Sequence, residues 1–226
     1  MKPLLLDNHL LAVAKPAGIP VQEDASGDES LQQQWQGWLK RELDKPGKVF
    51  LAIVHRLDRP VSGVTLFART TKAASRLSDA WRRGDVQKTY WAVGELAPTA
   101  PSLPGFGVRE EWLLKDRDRN QVRVVPPDTP GARFARTRWR ILGRDGRRVA
   151  FELEPLTGRS HQLRLACAGL GAPLLGDLKY GAPVPLPDRS IALHARALDF
   201  PHPTLDERIQ VLAPAPSHFP SSFFPI

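Results

Sequence analysis

The stretch IVHRLDRPVSGVTLFA, residues 53–68, sets one acid, Asp58, among the cations His55, Arg56 and Arg59. It closes a turn at Ser62-Gly63 and then runs apolar again. A carboxylate beside fixed positive charge stays ionised where burial would otherwise protonate it. An ionised carboxylate can serve as a nucleophile or a general base. The same pattern also fits a hairpin-like turn with a solvated tip, its aspartate making a local Asx-type hydrogen bond. Few other residues offer chemistry. The single cysteine, Cys167, excludes an intrachain disulfide and a multi-cysteine zinc site. It reads as a small buried apolar residue rather than a nucleophile. The six histidines are scattered with no pair at metal-ligand spacing, so no metal is expected. Neither of the glycine motifs that cradle phosphates, G-x-G-x-x-G and G-x-x-x-x-G-K-[ST], occurs.

The bulk properties narrow the setting for that acid. A chain of 226 residues fits one large domain or two small ones and can bury a sizeable core. Its 42% hydrophobic and 25% charged content is ordinary for a soluble globular protein. No apolar run approaches the roughly 18–20 residues that a membrane helix needs. The opening MKPLLLDNHLLAV is too short and too interrupted, by Asp7 and His9, for a signal peptide. The expected location is the cytoplasm, with no membrane association. A net charge of +8 suits a polyanionic partner such as nucleic acid, or simply a basic soluble protein.

The elements that must position the acid follow from periodicity. LLLDNHLLAVAKPAGIPVQ reads as one or two short strands ending at the turn Lys15-Pro16-Ala17-Gly18. LQQQWQGWLKREL spaces Leu31, Trp35, Trp38, Leu39 and Leu43 as one helical face, with the tryptophans in the core. Residues 51–54 and 64–68 have strand character on either side of the charged turn. KAASRLSDAWRR is a second amphipathic helix, closed by Gly84. QKTYWAVGEL is a strand containing Tyr90. The proline- and glycine-rich loop at 97–107 divides the chain into two halves. PPDTPG, 126–131, is a second loop. Seven arginines lie between Arg133 and Arg148; ARTRWRIL alternates, so a strand holds its arginines on one face, which reads as a solvated basic surface. RVAFELEPL is the next strand. TGRSHQLRLACAGLG reads as a loop entering a short helix with Ser160 as N-cap, and IALHARALDFPHP and ERIQVLAPAP are closing strands. Strands dominate without strict β-α-β alternation. The expectation is therefore an α+β fold around a largely antiparallel or mixed sheet flanked by helices and loops.

Three stretches carry a resemblance. HRLDRPVSG at 55–63, KTYWAVGE at 88–95 and TGRSHQLRLACAGLGAPLLGDLKYG at 157–181 resemble, in order, the motifs of the RluA-type RNA pseudouridine synthases. KPAGIPVQ at 15–22, LHARALDFPHP at 193–203 and LAPAP at 212–216 are similar to that family's opening and closing elements. Ala14, Val61, Ala166 and Cys167 depart from the usual pattern. The first strand begins near Leu4, so the chain looks like the compact branch: a single catalytic domain over 1–226, its two halves joined near 97–107, without an N-terminal RNA-binding module.

The resemblance implies a pseudouridine synthase fold with an active-site cleft across the sheet. It implies isomerisation of uridines in ribosomal or transfer RNA, with no cofactor, and indicates no obligatory protein partner. Asp58 matches the catalytic carboxylate, Tyr90 the active-site tyrosine and Arg164 the arginine expected to hold that carboxylate charged. Arg56 matches the residue that takes the place of a flipped-out base, and His55, Lys88, Arg159 and His161 are candidate RNA contacts. Trp91, next to Tyr90, is expected to point to the opposite face and pack in the core. Two other readings remain open: a noncatalytic RNA-binding protein on the same scaffold, and a glycosidase-like hydrolase. The hydrolase needs a second carboxyl group, and none is evident beside Asp58.

Overall fold

The computed structural model describes residues 1–226 apart from 45, 99–101, 117, 218, 221, 225 and 226. In chain order its strands are β1 (Leu5–Leu6), β2 (Leu10–Lys15), β3 (Ala52–Ile53), β4 (Ser62–Ala68), β5 (Gln87–Glu95) and β6 (Phe106–Asp116). They continue with β7 (Gln121–Val125), β8 (Arg133–Asp145), β9 (Arg148–Pro155), β10 (Leu193–Pro201) and β11 (Arg208–Leu212). The α-helices are α1 (Leu31–Glu42), α2 (Thr71–Arg83) and α3 (Gln162–Gly169). The fold class is α+β, as expected. No helix among the described residues is long and apolar enough to cross a membrane.

The chain forms two compact units, Met1–Gln87 with Ala195–Ala215, and Lys88–His194 with Pro216–Ile226. The division falls at the start of β5 and inside β10, not at the 97–107 loop. That loop joins β5 to β6 within the second unit; its residues 99–101 lie outside the described part. A proline- and glycine-rich stretch marks a turn, and a turn joins two strands of one unit as readily as it separates two units.

In the first unit β1, β2, β4 and β10 are neighbours in that order, with β3 also on β4 and β11 on β10. All seven residues of β4 are buried, as befits a central strand covered on both faces. Gly63 is what lets β4 meet β10. Its φ is +122°, and a Cβ there would overlap the backbone of Ala195. Helix α1 opens with a capping box in which Ser30 and Gln33 each bond the other's backbone N–H. It buries Leu31, Trp35 and Leu39, and Trp38 packs edge-on against Trp35 at 5.0 Å. Thr70 caps α2 by accepting from the Ala73 N–H, and Gly84 closes it at φ +79°. The buried face of α2, Ala73, Leu77 and Ala80, joins Leu10, Val64, Leu66, Phe200 and Val211 in one core.

In the second unit the order is β5-β9-β8-β6-β7, antiparallel throughout. Strand β8 alternates as expected: Ala135, Thr137 and Trp139 are buried, and Arg136, Arg138 and Arg140 are exposed. The β6–β7 hairpin was not legible in the sequence. An inward position of β6 is filled by an acid, Glu111, which is buried against Arg109 at 2.6 Å and breaks the apolar alternation. Trp91 does point away from Tyr90's face, into a core with Val93, Ala150, Phe219 and Phe224. The N-cap of α3 is His161 in a left-handed conformation (φ +54°), not Ser160. Below it, the Gln162 side chain accepts from the Arg159 N–H and the Thr157 hydroxyl and donates to the Arg136 carbonyl and the Thr137 hydroxyl. These four bonds fix the loop in place of a capping serine.

Candidate active site

The acidic turn is built from the inside outward. Leu57 and Val61, on either side of Asp58, are buried and anchor the loop, while Asp58 itself is half-buried and its carbonyl accepts from the Val61 N–H at 3.0 Å. The cations around it have separate tasks. His55 turns inward: its Nε2 accepts from the Leu66 N–H at 2.9 Å and its ring stacks on Trp81 at 4.9 Å and 15°. An accepting Nε2 leaves the ring proton on Nδ1, so the neutral imidazole is the form that fits. Arg59 bonds Asp28 and lies 4.0 Å from Asp24, both on the surface. Its guanidinium holds the Asp28 carboxyl below the usual carboxylate range. Arg56 is exposed.

Beneath this turn lies a cation that the sequence reading passed over. Lys15, at the end of β2, is 1% exposed. Its ammonium donates to the carbonyls of Pro16 (2.9 Å), Ile19 (2.8 Å) and Arg59 (3.1 Å). Its only sequence signal is the Lys-Pro-x-Gly pattern, which marks a turn and says nothing of where the lysine points.

In the second unit the strand register relates Tyr90 to Arg164. Tyr90 opposes Leu153, which opposes Trp139, so these three share one face of the sheet. Thr137, two residues from Trp139 and so on that face, bonds Gln162 of α3. Half-buried Tyr90 therefore lies on the face that α3 covers, and the arginines of β8 lie on the other. Lys88, two residues before Tyr90, shares its face; burial lowers its ammonium pKa, and the Glu154 carboxylate opposes that shift.

Arg164 on α3 is 6% exposed and makes a two-pronged bond to Asp177, Nε to Oδ2 at 2.7 Å and an Nη to Oδ1 at 2.6 Å. Asp177 is 1% exposed. A buried guanidinium needs such a partner, because an uncompensated charge there is costly. The Tyr180 ring packs against the guanidinium, 4.9 Å from centroid to Cζ. The Tyr180 hydroxyl accepts from the Val122 N–H at 2.9 Å and meets His161 Nδ1 at 2.6 Å. Gly176, at φ +80° against the Ser190 carbonyl, shapes the loop that delivers Asp177. Asp177 and Tyr180 stood in the quoted motif GDLKYG without a role; the spacing alone does not tell which side chains turn inward.

Other candidates take simpler places. Arg159 is exposed, with its Nε donating to the Phe134 carbonyl at 2.9 Å. Cys167 is fully buried, and burial raises its thiol pKa far above neutrality, so it is inert as a nucleophile. The arginines of β8 form a ladder rather than a bare basic face: Arg136 pairs with Glu110 at 3.1 Å, Arg138 with Glu154 at 3.3 Å and Arg140 with Glu152 at 2.7 Å.

The acid-bearing turn, the tyrosine strand and the arginine helix all fall within residues 9–169, the span that matches the family model described as RNA pseudouridylate synthase. The chain belongs to that family, in its RluA branch, and is an isomerase that modifies RNA. It is 36% identical over 218 residues to an uncharacterized RNA pseudouridine synthase of Zymomonas mobilis, covering 96% of this chain and 94% of that one. It is 31% identical over 223 residues to the ribosomal large subunit pseudouridine synthase D of Xanthomonas campestris, covering 93% of this chain and 64% of that one. Among solved structures it resembles human RNA pseudouridylate synthase domain containing 4, with a TM-score of 0.78 at 26% identity over 96% of this chain and 89% of that chain.

Proposed function

We propose that this enzyme converts specific uridines of ribosomal or transfer RNA to pseudouridine, with Asp58 as the catalytic carboxylate and Tyr90 and Arg164 completing the site. The reaction breaks the bond from uracil N1 to the ribose, turns the base and joins C5 to the same ribose carbon; the proton lost from C5 balances the one gained at N1. An ionised carboxylate at the glycosidic bond either adds covalently or removes a ribose proton. The observation that carries the reading is the acidic turn itself. Asp58 is half-buried on a loop pinned by flanking apolar residues, by the Asp58-to-Val61 turn and by the Lys15 ammonium, in a chain of this family.

Tyr90, on the α3-covered face of its sheet, offers a ring for the target uracil, and such stacking is worth roughly 1–3 kcal/mol. Reaching a base in structured RNA requires flipping it out, at a few kcal/mol. Arg56, exposed and two residues from Asp58, is the side chain suited to the vacated place. Lys88 and Arg159 then contact the RNA backbone. His55 and His161 act through the fold, since a ring nitrogen of each is committed to the Leu66 N–H or the Tyr180 hydroxyl. The ribosomal large subunit named for the Xanthomonas relative favours ribosomal RNA as the first substrate to try.

The test is single-turnover release of tritium from ribosomal RNA labelled at uridine C5, prepared from cells lacking the gene. Asp58→Asn is expected to slow release by about 10³-fold or more while RNA affinity stays within about twofold. Release from the variant at the wild-type rate would remove Asp58 from the chemistry.

A further inference from the structure

We propose that the exposed loop of residues 22–29 sets RNA selectivity by occupying Arg59, so that a phosphate gains this guanidinium only by displacing Asp24 and Asp28. The inference rests on Asp58 being the catalytic acid, because that is what places its neighbour Arg59 at the reacting nucleotide. Residues 22–29 are exposed throughout and lie between buried Val21 and buried Ser30. Two bonds close the loop at its base: the Leu31 N–H to the Pro20 carbonyl at 2.8 Å, and the Gln32 N–H to the Val21 carbonyl at 3.2 Å. The loop carries Glu23, Asp24, Asp28 and Glu29 and no lysine or arginine, in a chain whose net charge is +8. It therefore repels the polyanion that the chain as a whole attracts.

The inner geometry of the loop is built around one cation. The Ser26 N–H and hydroxyl both donate to Asp24 Oδ1, at 2.9 and 2.5 Å, and the hydroxyl accepts from the Asp28 N–H at 3.2 Å. Gly27, at φ +75°, makes the bend that returns Asp28 to the side of Asp24. Two like charges are thereby set together, and each faces a different nitrogen of the same guanidinium. One Nη of Arg59 bonds Asp28 Oδ2, and the other lies 4.0 Å from Asp24 Oδ2. The Arg59 backbone is held separately, its carbonyl accepting from the Gly18 N–H at 2.8 Å, so the side chain changes partner without moving the turn.

The three side chains are between 42% and 55% accessible, and ion pairs this exposed contribute little to stability. What they decide is which anion the guanidinium meets. A guanidinium forks onto a phosphate as readily as onto a carboxylate. RNA that presents a phosphate to Arg59 replaces the aspartates with a bond of the same kind. RNA lying elsewhere meets four acids and an arginine already neutralised. The loop thus weakens binding of every RNA and restores part of it only to RNA seated at the acidic turn, which is selectivity through a repulsive element.

The experiment is filter binding of polyadenylate, which holds no uridine, and of the ribosomal RNA used for tritium release, from about 50 to about 300 mM salt. Asp24→Asn with Asp28→Asn should bind polyadenylate about 5–10-fold more tightly at the lowest salt, with a salt slope steeper by about 1. Arg59→Gln by itself should leave polyadenylate affinity within about twofold and weaken ribosomal RNA by about threefold or more. Added to the two asparagine changes, Arg59→Gln should cut their polyadenylate gain to about twofold or less, because that gain belongs to the freed guanidinium. No gain overturns the proposal. A gain of equal size with and without Arg59 is plain repulsion and also overturns it. So does slower tritium release at saturating RNA without tighter binding, which would make the pair a brace for the turn. Tritium release by Asp58→Asn is read in parallel. An active Asp58→Asn defeats the catalytic assignment, whereas an inactive one, with a polyadenylate gain that ignores Arg59, defeats only the role of the loop.

Discussion

Lys15 in the first unit and Arg164 in the second are buried almost alike, at 1% and 6% exposure, yet Arg164 is forked onto the Asp177 carboxylate while the Lys15 bonds described go to three carbonyls. The surroundings match the chemistry of each cation. A guanidinium presents a planar set of donors that a carboxylate fits from one side, and it does not lose its proton in a protein. An ammonium is a compact charge with three donors, suited to a ring of carbonyls, and it gives up its proton when desolvated. Arg164 is therefore a fixed charge inside a pair, and Lys15 a charge that depends on pH near neutrality.

The sharpest way to break the comparison is to remove the acid from the arginine. Asp177→Asn leaves a buried guanidinium with a neutral partner, and its expected cost is about 3–5 kcal/mol, read from denaturant unfolding. A loss under about 1 kcal/mol would mean that the pair is not what holds Arg164 in place. Tyr180→Phe is milder. It keeps the ring on the guanidinium but strips the acceptor from the Val122 N–H and the partner from His161, for an expected loss of about 1–3 kcal/mol in the same measurement. The smallest effect belongs to the exposed ladder. Arg138→Ala should cost no more than about 1 kcal/mol, and the difference from wild type should shrink in about 1 M salt, because exposed pairs are screened. A large, salt-independent loss there would put the ladder in the same class as the buried pair.

The ladder also shows how far charge can be read along one strand. The alternation of ARTRWRIL placed Arg136, Arg138 and Arg140 on one face, and they are there. Their glutamates come from β6 and β9, up to 26 residues away in the chain, and those partners turn a presumed basic surface into one with much of its charge compensated. His55 teaches the same lesson from a motif. HRLD set it beside Asp58, but a backbone N–H eleven residues on claims its ring nitrogen. The β6–β7 hairpin escaped because Glu111 and Arg109 satisfy each other in its interior, and an ion pair inside a sheet erases the apolar signal that marks a strand.

What the sequence by itself determined was local and periodic. The stripes of α1 and α2, with the glycine that closes α2, could be read there, as could the alternation of β8 and the ordered motifs of the family with Asp58, Tyr90 and Arg164 inside them. These depend on neighbours within a few residues or on a pattern kept in order along the chain. Only the tertiary structure decided which charges are buried and what they face: Arg164 with Asp177 thirteen residues on, and Lys15 with the carbonyl of Arg59. Burial sets the dielectric around a charge, and burial belongs to the packed chain, so no stretch of residues can declare it alone.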